Sequence, residues 1–348
     1  RLLFLASGGR TVYFGGIGED SRVLTSYFER NGSRPCGIEE NPAEWMLDVI
    51  GAAPGSQNTI DWPQKWRESE EKEGIRETLA EMMVGREVDL SVHKDPANIG
   101  EASFVVKNLT AFNSAGGKVL DDVSFEIQKG EIFVIAGVQG NGQTELAESI
   151  LGTQEKVTGS ITLDGKELLG RSVKKVLDSG VGFVPEDRTE DGLVADFTIA
   201  ENLMLDRSDR PPFAKGIQLQ LKNLYEFAEQ KLRSFDIRAR SIFSKANQLS
   251  GGNQQKVVLA RELSRDLKLL VASQPTRGLD VGSIEFVHEQ IVAARDSGIP
   301  VVIIATELDE ATQLGDRVAV MYKGKIVGVV SPDTPREELG KLMAGISA

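Results

Sequence analysis

The feature that most constrains this chain is a strand, a glycine-rich loop and a helix in immediate succession. The apolar run Ile132-Phe133-Val134-Ile135-Ala136 leads into Gly137-Val138-Gln139-Gly140-Asn141-Gly142-Gln143-Thr144, and Leu146, Ala147, Ile150 and Leu151 follow at helical spacing. This is the layout of a phosphate-binding loop, G-x-x-x-x-G-K-[ST], with Gln143 where the lysine belongs. Its glycines let successive N–H groups face a phosphate, and Thr144 offers a hydroxyl suited to Mg²⁺. Taken alone, the same pattern also suits an ordinary strand–helix turn. Two more fully apolar runs, residues 269–272 and 301–305, each feed a helix and predict the buried parallel core of an α/β domain. Alternating segments at 104–106, 123–127 and 160–163, the last before Asp164-Gly165, predict an antiparallel sheet beside it. Residues 197–245 read as mostly helical, broken at Pro211-Pro212.

A second element decides between the turn and the phosphate site. Leu249-Ser250-Gly251-Gly252-Asn253 precedes Gln254-Gln255-Lys256-Val257, a helix start whose glycine N–H groups lie at the positive end of the dipole and suit a terminal phosphate. Residues 269–272 then run into Ser273-Gln274-Pro275-Thr276-Arg277-Gly278-Leu279-Asp280. In this order and spacing the three stretches resemble the ATP-binding-cassette (ABC) ATPases. The resemblance implies ATP and Mg²⁺ as cofactors, with nucleotide contacts at Gly137, Gln139, Gly140, Asn141, Gly142, Gln143, Thr144 and Glu145. It makes Ser250, Gly251, Gly252 and Asn253 the signature that meets a nucleotide on an opposing domain, and Asp280 the following D-loop residue. Phe112, about one strand upstream of the glycine loop, is a candidate to stack on adenine; packing in a core or hairpin is the equal alternative.

Against that family pattern, the hydrolytic positions are substituted. Gln143 removes a cation whose charge-assisted contact with phosphate is worth roughly 1.5–3 kcal/mol. Ser273 and Gln274 stand where active relatives carry an Asp-Glu pair, and a glutamine amide cannot take a proton from an attacking water. Thr306 holds the switch position usually given to histidine, and Glu186, in Val184-Pro185-Glu186-Asp187-Arg188, replaces the glutamine expected before the helical subdomain. The expectation is a module that binds nucleotide weakly or moderately and hydrolyses it hardly at all. Glu186 to Arg188 offer either a coupling contact to a permease or a turn-stabilising salt bridge.

Residues from about 78 to 348 resemble the second nucleotide-binding domain of tandem ATP-binding proteins from bacterial nucleoside and simple-sugar importers. The matching stretches are 137–146, 184–188, 249–256 and 274–282, extended by Ile284-Glu285-Phe286-Val287-His288 and Glu307-Leu308-Asp309-Glu310. The resemblance implies a partner domain with intact catalytic residues, a membrane permease engaged through a helical subdomain at about 190–250, and a place on the cytoplasmic face of the plasma membrane. Residues 1 to about 70 resemble a different group, the end of the second nucleotide-binding domain of fungal pleiotropic-drug-resistance exporters, through Tyr27-Phe28-Glu29-Arg30-Asn31-Gly32, Asn41-Pro42-Ala43-Glu44-Trp45-Met46-Leu47 and Ile60-Asp61-Trp62-Pro63. Internal echoes support a tail-like front piece. A hairpin around Gly8-Gly9 parallels the one at Lys323-Gly324, and residues 79–85 parallel 339–345. The expected division is a partial ABC tail with linker at 1–98 and a nucleotide-binding domain at 99–348, which makes the chain composite. A soluble non-transport ABC regulator and an inert composite are the alternatives.

Charge and composition narrow the partners. A net charge of −12 argues against nucleic acid. No run of 18 uncharged apolar residues is present. Cys36 is the lone cysteine and cannot form an intrachain disulfide. His93 and His288 have no second ligand at metal spacing, Trp45, Trp62 and Trp66 read as packing anchors, and the charged run 68–73 reads as a solvated face or linker.

Overall fold

The front of the chain folds around its aromatic side chains. The computed structural model describes residues 2–6, 10–18, 21–37, 40–52, 60–72, 92 and 94–346. The chain divides into two units, Arg1–Leu90 and Ser91–Ala348. In the first, β1 (Leu2–Ala6) and β2 (Arg10–Gly15) form an antiparallel hairpin with Phe4 opposite Tyr13. Helices α1 (Arg22–Arg30), α2 (Pro42–Val49) and α3 (Trp62–Arg67) add Tyr27, Phe28, Trp45, Trp62 and Trp66 to a cluster shared with Val12 and Tyr13. Trp62 meets Phe28 edge to face at 4.9 Å, the geometry aromatic rings prefer. The boundaries of α2 follow from its ends. Asn41 accepts the Ala43 N–H at 2.9 Å, Pro42 occupies the first turn where no donor is needed, and Gly51 turns the chain at φ 76°. Arg34 grips Glu40 through both oxygens and holds that carboxyl down to about 2. The Gly8-Gly9 turn, the 79–85 echo, Glu73 and His93 lie outside the described residues.

The second unit starts with β3 (Ala102–Phe112), β4 (Lys118–Gln128) and β5 (Ile132–Ala136), followed by α4 (Gln143–Leu151). Next come β6 (Lys156–Leu163), β7 (Lys166–Glu167), α5 (Val173–Asp178) and β8 (Val181–Val184). The stretch that reads as helical contains α6 (Ile199–Met204), a small hairpin of β9 (Ala214–Lys215) and β10 (Gln218–Leu219), and α7 (Leu221–Ser234). Then follow α8 (Gly251–Glu262), β11 (Leu269–Ser273), α9 (Val281–Asp296), β12 (Val301–Ala305), α10 (Leu308–Leu314), β13 (Arg317–Tyr322), β14 (Lys325–Val330) and α11 (Arg336–Met343). The β9–β10 hairpin departs from the helical expectation. Gly216, at φ 63°, reverses the chain just after Pro211-Pro212, and neither proline supplies the N–H that a helix needs.

Six strands make one sheet in the order β14-β13-β5-β12-β11-β8, parallel except for β14. Its central strands are apolar throughout because both faces are covered. In β5, Ile132, Val134 and Ala136 enter a core shared with α6 to α11, while Phe133 and Ile135 enter another shared with α4 and the antiparallel sheet β4-β3-β6-β7. Asp316 fixes the start of β5: it accepts the Ile132 N–H and the Lys94 ammonium, each at 2.8 Å, and pairs with the buried Arg295 at 3.2 Å. Asp164 at φ 48° and Gly165 at φ 72° make the tight β6–β7 turn, and Lys323-Gly324 repeat it between β13 and β14.

Candidate functional site

Four parallel strands bring distant stretches of sequence to one edge. Read across the sheet, β5 leads into Gly137, β12 into Thr306, β11 ends at Ser273 before Gln274, and β8 is followed two residues on by Glu186, all at carboxyl ends, where open α/β sheets bind ligands. Gly137 donates its N–H to Ala305 O at 3.3 Å and Gln274 donates to Ile304 O at 2.8 Å, so both loops start from the β12 backbone.

The glycine loop takes backbone conformations that only glycine adopts easily. Gly140 and Gly142 both have positive φ, 87° and 109°. A side chain at Gly142 is impossible, since its Cβ would lie 2.8 Å from Val119 O and 3.1 Å from Gly324 Cα. The β13–β14 turn braces the loop further: Lys323 N–H donates to Asn141 Oδ1 at 2.9 Å and Gly324 N–H to Asn141 O at 2.8 Å. Over Gly140 the space is open.

Gln143 is buried and turned back into this loop. Its Oε1 accepts the Asn141 N–H at 3.1 Å and its Nε2 donates to Val138 O at 3.2 Å. The glutamine therefore caps one of the N–H groups that a phosphate would use. Thr144 is exposed on the first turn of α4, and Glu145 beside it is half-buried. Burial and the neighbouring Glu145 and Asp191 push the Glu148 carboxyl up.

The other strand ends are neutral or self-paired. Ser273 is buried at the end of β11, and Gln274 follows in the left-handed region at φ 44°. The Thr306 hydroxyl donates to Gln274 Oε1 at 3.2 Å, closing a neutral pair between β12 and β11. Glu186 accepts from Gln139 Nε2 at 3.3 Å and is ion-paired with Arg277, so the only carboxylate among these strand-end positions is already engaged. Phe112 lies opposite Lys118 of β4, the residue before Val119, whose carbonyl borders Gly142. It ends β3 on the separate antiparallel sheet, half-buried, its carbonyl taken by Gln154 Nε2 at 3.0 Å.

The signature residues form a second constellation. Ser250 caps α8, accepting from Asn253 Nδ2 at 2.9 Å and Asn253 N–H at 3.4 Å, and Asn253 Oδ1 accepts the Arg238 N–H at 2.7 Å. Asp280 caps α9 through the Ser283 N–H (3.0 Å) and hydroxyl (2.7 Å). Burial pushes the Asp280 carboxyl up, but those two hydrogen bonds outweigh it and hold it below the ordinary value. The two helix starts nearly touch: a Cβ on Gly252 would fall 2.9 Å from Ser283 Cβ and 3.0 Å from Asp280 Oδ2. One contact here was not visible in the linear sequence. Arg188 reaches over Gly251, where a Cβ would lie 2.6 Å from its terminal nitrogen, and donates to Arg277 O at 2.9 Å. Asp187 in turn caps the short turn Arg188–Gly192 through Thr189 and Glu190.

A profile of the ABC transporter family matches residues 120–277, from within β4 to Arg277, just past the strand-end glutamine. The chain carries an ATP-binding-cassette domain. This cassette is homologous to nucleoside and sugar import ATP-binding proteins. It is 41% identical over 271 residues to the guanosine import ATP-binding protein NupO of Bacillus subtilis, covering 78% of this chain and 53% of that protein. It is 42% identical over 273 residues to the glucose import ATP-binding protein TsgD13 of Haloferax volcanii, covering 78% and 50%. The chain thus spans about half the length of the curated relatives it matches. The fold is that of solved cassettes: MJ1267, an ATP-binding cassette of an ABC transporter, superimposes with a TM-score of 0.60 at 22% identity over 71% of this chain and 98% of its own.

The cassette's loop fits a nucleotide phosphate in kind: it is glycine-rich with open space over Gly140, and the Gln143 amide holds one of its N–H groups, that of Asn141. It fits Mg²⁺ less well. Thr144 and Ser273 are neutral donors, and Glu186 must first leave Arg277.

Proposed function

We propose that this chain is the non-consensus ATP-binding half of an ABC importer for nucleosides or simple sugars. One observation carries the reading: an intact, Ser250-capped signature helix belongs to a cassette whose own strand-end site is closed by the neutral Thr306–Gln274 pair. No side chain there is free to accept a proton from water. The nucleotide, when bound, supplies the phosphate charge that two cassettes share. On this chain's side, the N–H groups of the 137–144 loop hold phosphate once Gln143 has swung off Asn141, and Thr144, Ser273 and Glu186 are the donors nearest in kind to Mg²⁺ ligands. On the partner's side, Ser250 and the N–H groups of Gly251 and Gly252 complete a competent active site. Asp280 holds Ser283 and thereby the mutual placement of α8 and α9.

The rest of the assignment follows the homologues. The partner would be a cassette with its lysine and acidic pair in place, and a permease would dock on the helical subdomain and keep the chain at the cytoplasmic face of the plasma membrane. Among the described residues, no helix is long and apolar enough to cross a membrane. Nucleic acid has no place in this reading. The front unit is read as the tail of a second, partial cassette, with residues 1–98 and 99–348 as the two domains.

Calorimetric titration of the purified chain with Mg²⁺-ATP tests the proposal. Binding heat without a sustained turnover signal is expected. Sustained hydrolysis by the isolated chain would overturn it, because Gln274 and Thr306 could not then be the residues at the catalytic positions.

A further inference from the structure

We propose that a polar cavity on the far side of the cassette is a binding site for a small polyanion of the phosphate or pyrophosphate class. The cavity measures about 620 Å³, within the range of small-molecule sites. It is walled by the β6–β7 turn, α5, the segment after α6 and the segment between α8 and β11. The inference does not depend on the transport reading, since none of the strand-end or signature residues lines it.

Its lining runs against the charge of the chain. On a protein of net charge −12, six cationic side chains, Lys166, Arg171, Arg207, Arg210, Arg265 and Lys268, line the cavity beside only three carboxylates, Asp164, Asp178 and Asp266. Three of the cations are satisfied. Arg210 pairs with Asp178 at 2.5 Å, Lys268 with Asp164 at 3.4 Å, and Arg265 with Glu262 at 2.8 Å and with Asp206. Lys166, Arg171 and Arg207 have no carboxylate within ion-pair reach among the described residues.

Arg207 is the decisive one. Its guanidinium lies 5.2 Å from the Phe213 ring centre and 5.5 Å from that of Phe227, and it donates to Ser264 O at 3.1 Å and Leu203 O at 3.3 Å. Its Nε is buried with no partner. Asp206 pairs with Arg265 through one oxygen, its Oδ1 staying buried without a partner, and Glu262 is shared by Arg261 and Arg265; both act on Arg207 only from beyond ion-pair distance. Burial, with Arg265 alongside, pushes the Arg207 pKa below its ordinary value. A cation fixed by rings and carbonyls, with an unpartnered buried Nε and no carboxylate within ion-pair distance, is an arrangement an incoming anion would relieve. Guanidinium groups favour a planar or tetrahedral oxyanion over an apolar body. The occupant would also touch the network that anchors the signature helix, because Glu262 on α8 accepts the Phe183 N–H of β8 at 3.2 Å in addition to Arg261 and Arg265.

The test is calorimetric titration of the full chain with inorganic pyrophosphate, without Mg²⁺ and in phosphate-free buffer. The glycine loop is removed as a competitor by Gly140→Asp, which sets a carboxylate in open space above it. In that background we expect saturable binding, weakened at least fivefold when Lys166→Gln and Arg171→Gln are added. Both positions lie outside the cores, and circular dichroism checks that the fold is kept. Absence of saturable binding in the Gly140→Asp background, or a loss of less than fivefold on the double substitution, overturns the proposal.

Discussion

Gln143 turns back into the loop proposed to hold phosphate. Its amide takes both a donor and an acceptor of the loop, so binding a phosphate costs two internal hydrogen bonds and returns no cation. Gln143→Lys should therefore tighten nucleotide binding by roughly tenfold or more, the equivalent of about 1.5–3 kcal/mol for a charge-assisted contact, read by calorimetry. An unchanged affinity would mean that the amide already leaves the loop without cost. The signature glycines separate in a second test. Gly251→Ala meets the end of a flexible arginine, whereas Gly252→Ala meets Ser283 and Asp280 at a fixed helix start. Gly252→Ala should cost about 1–3 kcal/mol in urea unfolding, and Gly251→Ala clearly less. The identity of each of these residues is readable in the sequence, but the direction Gln143 points and the arginine over Gly251 depend on folding that joins positions far apart.

At the scale of elements, the strands were legible and the loops between them only partly so. An all-apolar run such as 132–136 has one stable setting, buried on both faces, and it became the central β5. Residues 214–219 carry no such constraint, and their hairpin rests on one glycine that a periodicity reading passes over. The Arg188–Gly192 turn likewise depends on a cap. Hydrogen bonds from the Thr189 hydroxyl and from the Thr189 and Glu190 N–H groups hold the Asp187 carboxyl below its ordinary value. A lowered folded pKa means that the cap is complete above the ordinary aspartate range and is lost as pH falls through the lowered value. The Thr189 and Glu190 amide resonances should titrate with a midpoint below 3.8, the unperturbed value. A midpoint at or above it would show that Asp187 does not hold the turn.

For the whole molecule, the parallel sheet gathers positions scattered along the sequence at one end of adjacent strands. Gln143, Thr306, Ser273-Gln274 and Glu186 follow adjacent strands, so on the proposed reading what each lacks is felt at the same place. Reverting one of them should do little. Gln274→Glu alone is expected to leave phosphate release at background, because Gln143, Ser273 and Thr306 still lack the charge that the reaction needs. Substantial turnover from that single change would show that the remaining positions were never limiting. The order of the motifs was enough to foresee this convergence, while the cationic cavity was invisible because its walls come from four segments with no shared motif.

The aromatic core of the front unit has a practical consequence. All three tryptophans of the protein lie in Arg1–Leu90, each buried, and the cassette contains none. Intrinsic tryptophan emission is therefore a reporter confined to one unit, whereas far-ultraviolet dichroism sums over both. If the units unfold independently, the two melting curves will not coincide, and their separation measures how weakly the units are coupled. Coincident curves would instead mark a single cooperative transition. The chain already carries its own label on one unit and leaves the nucleotide-binding one dark, open to a tryptophan placed wherever a motion is to be followed.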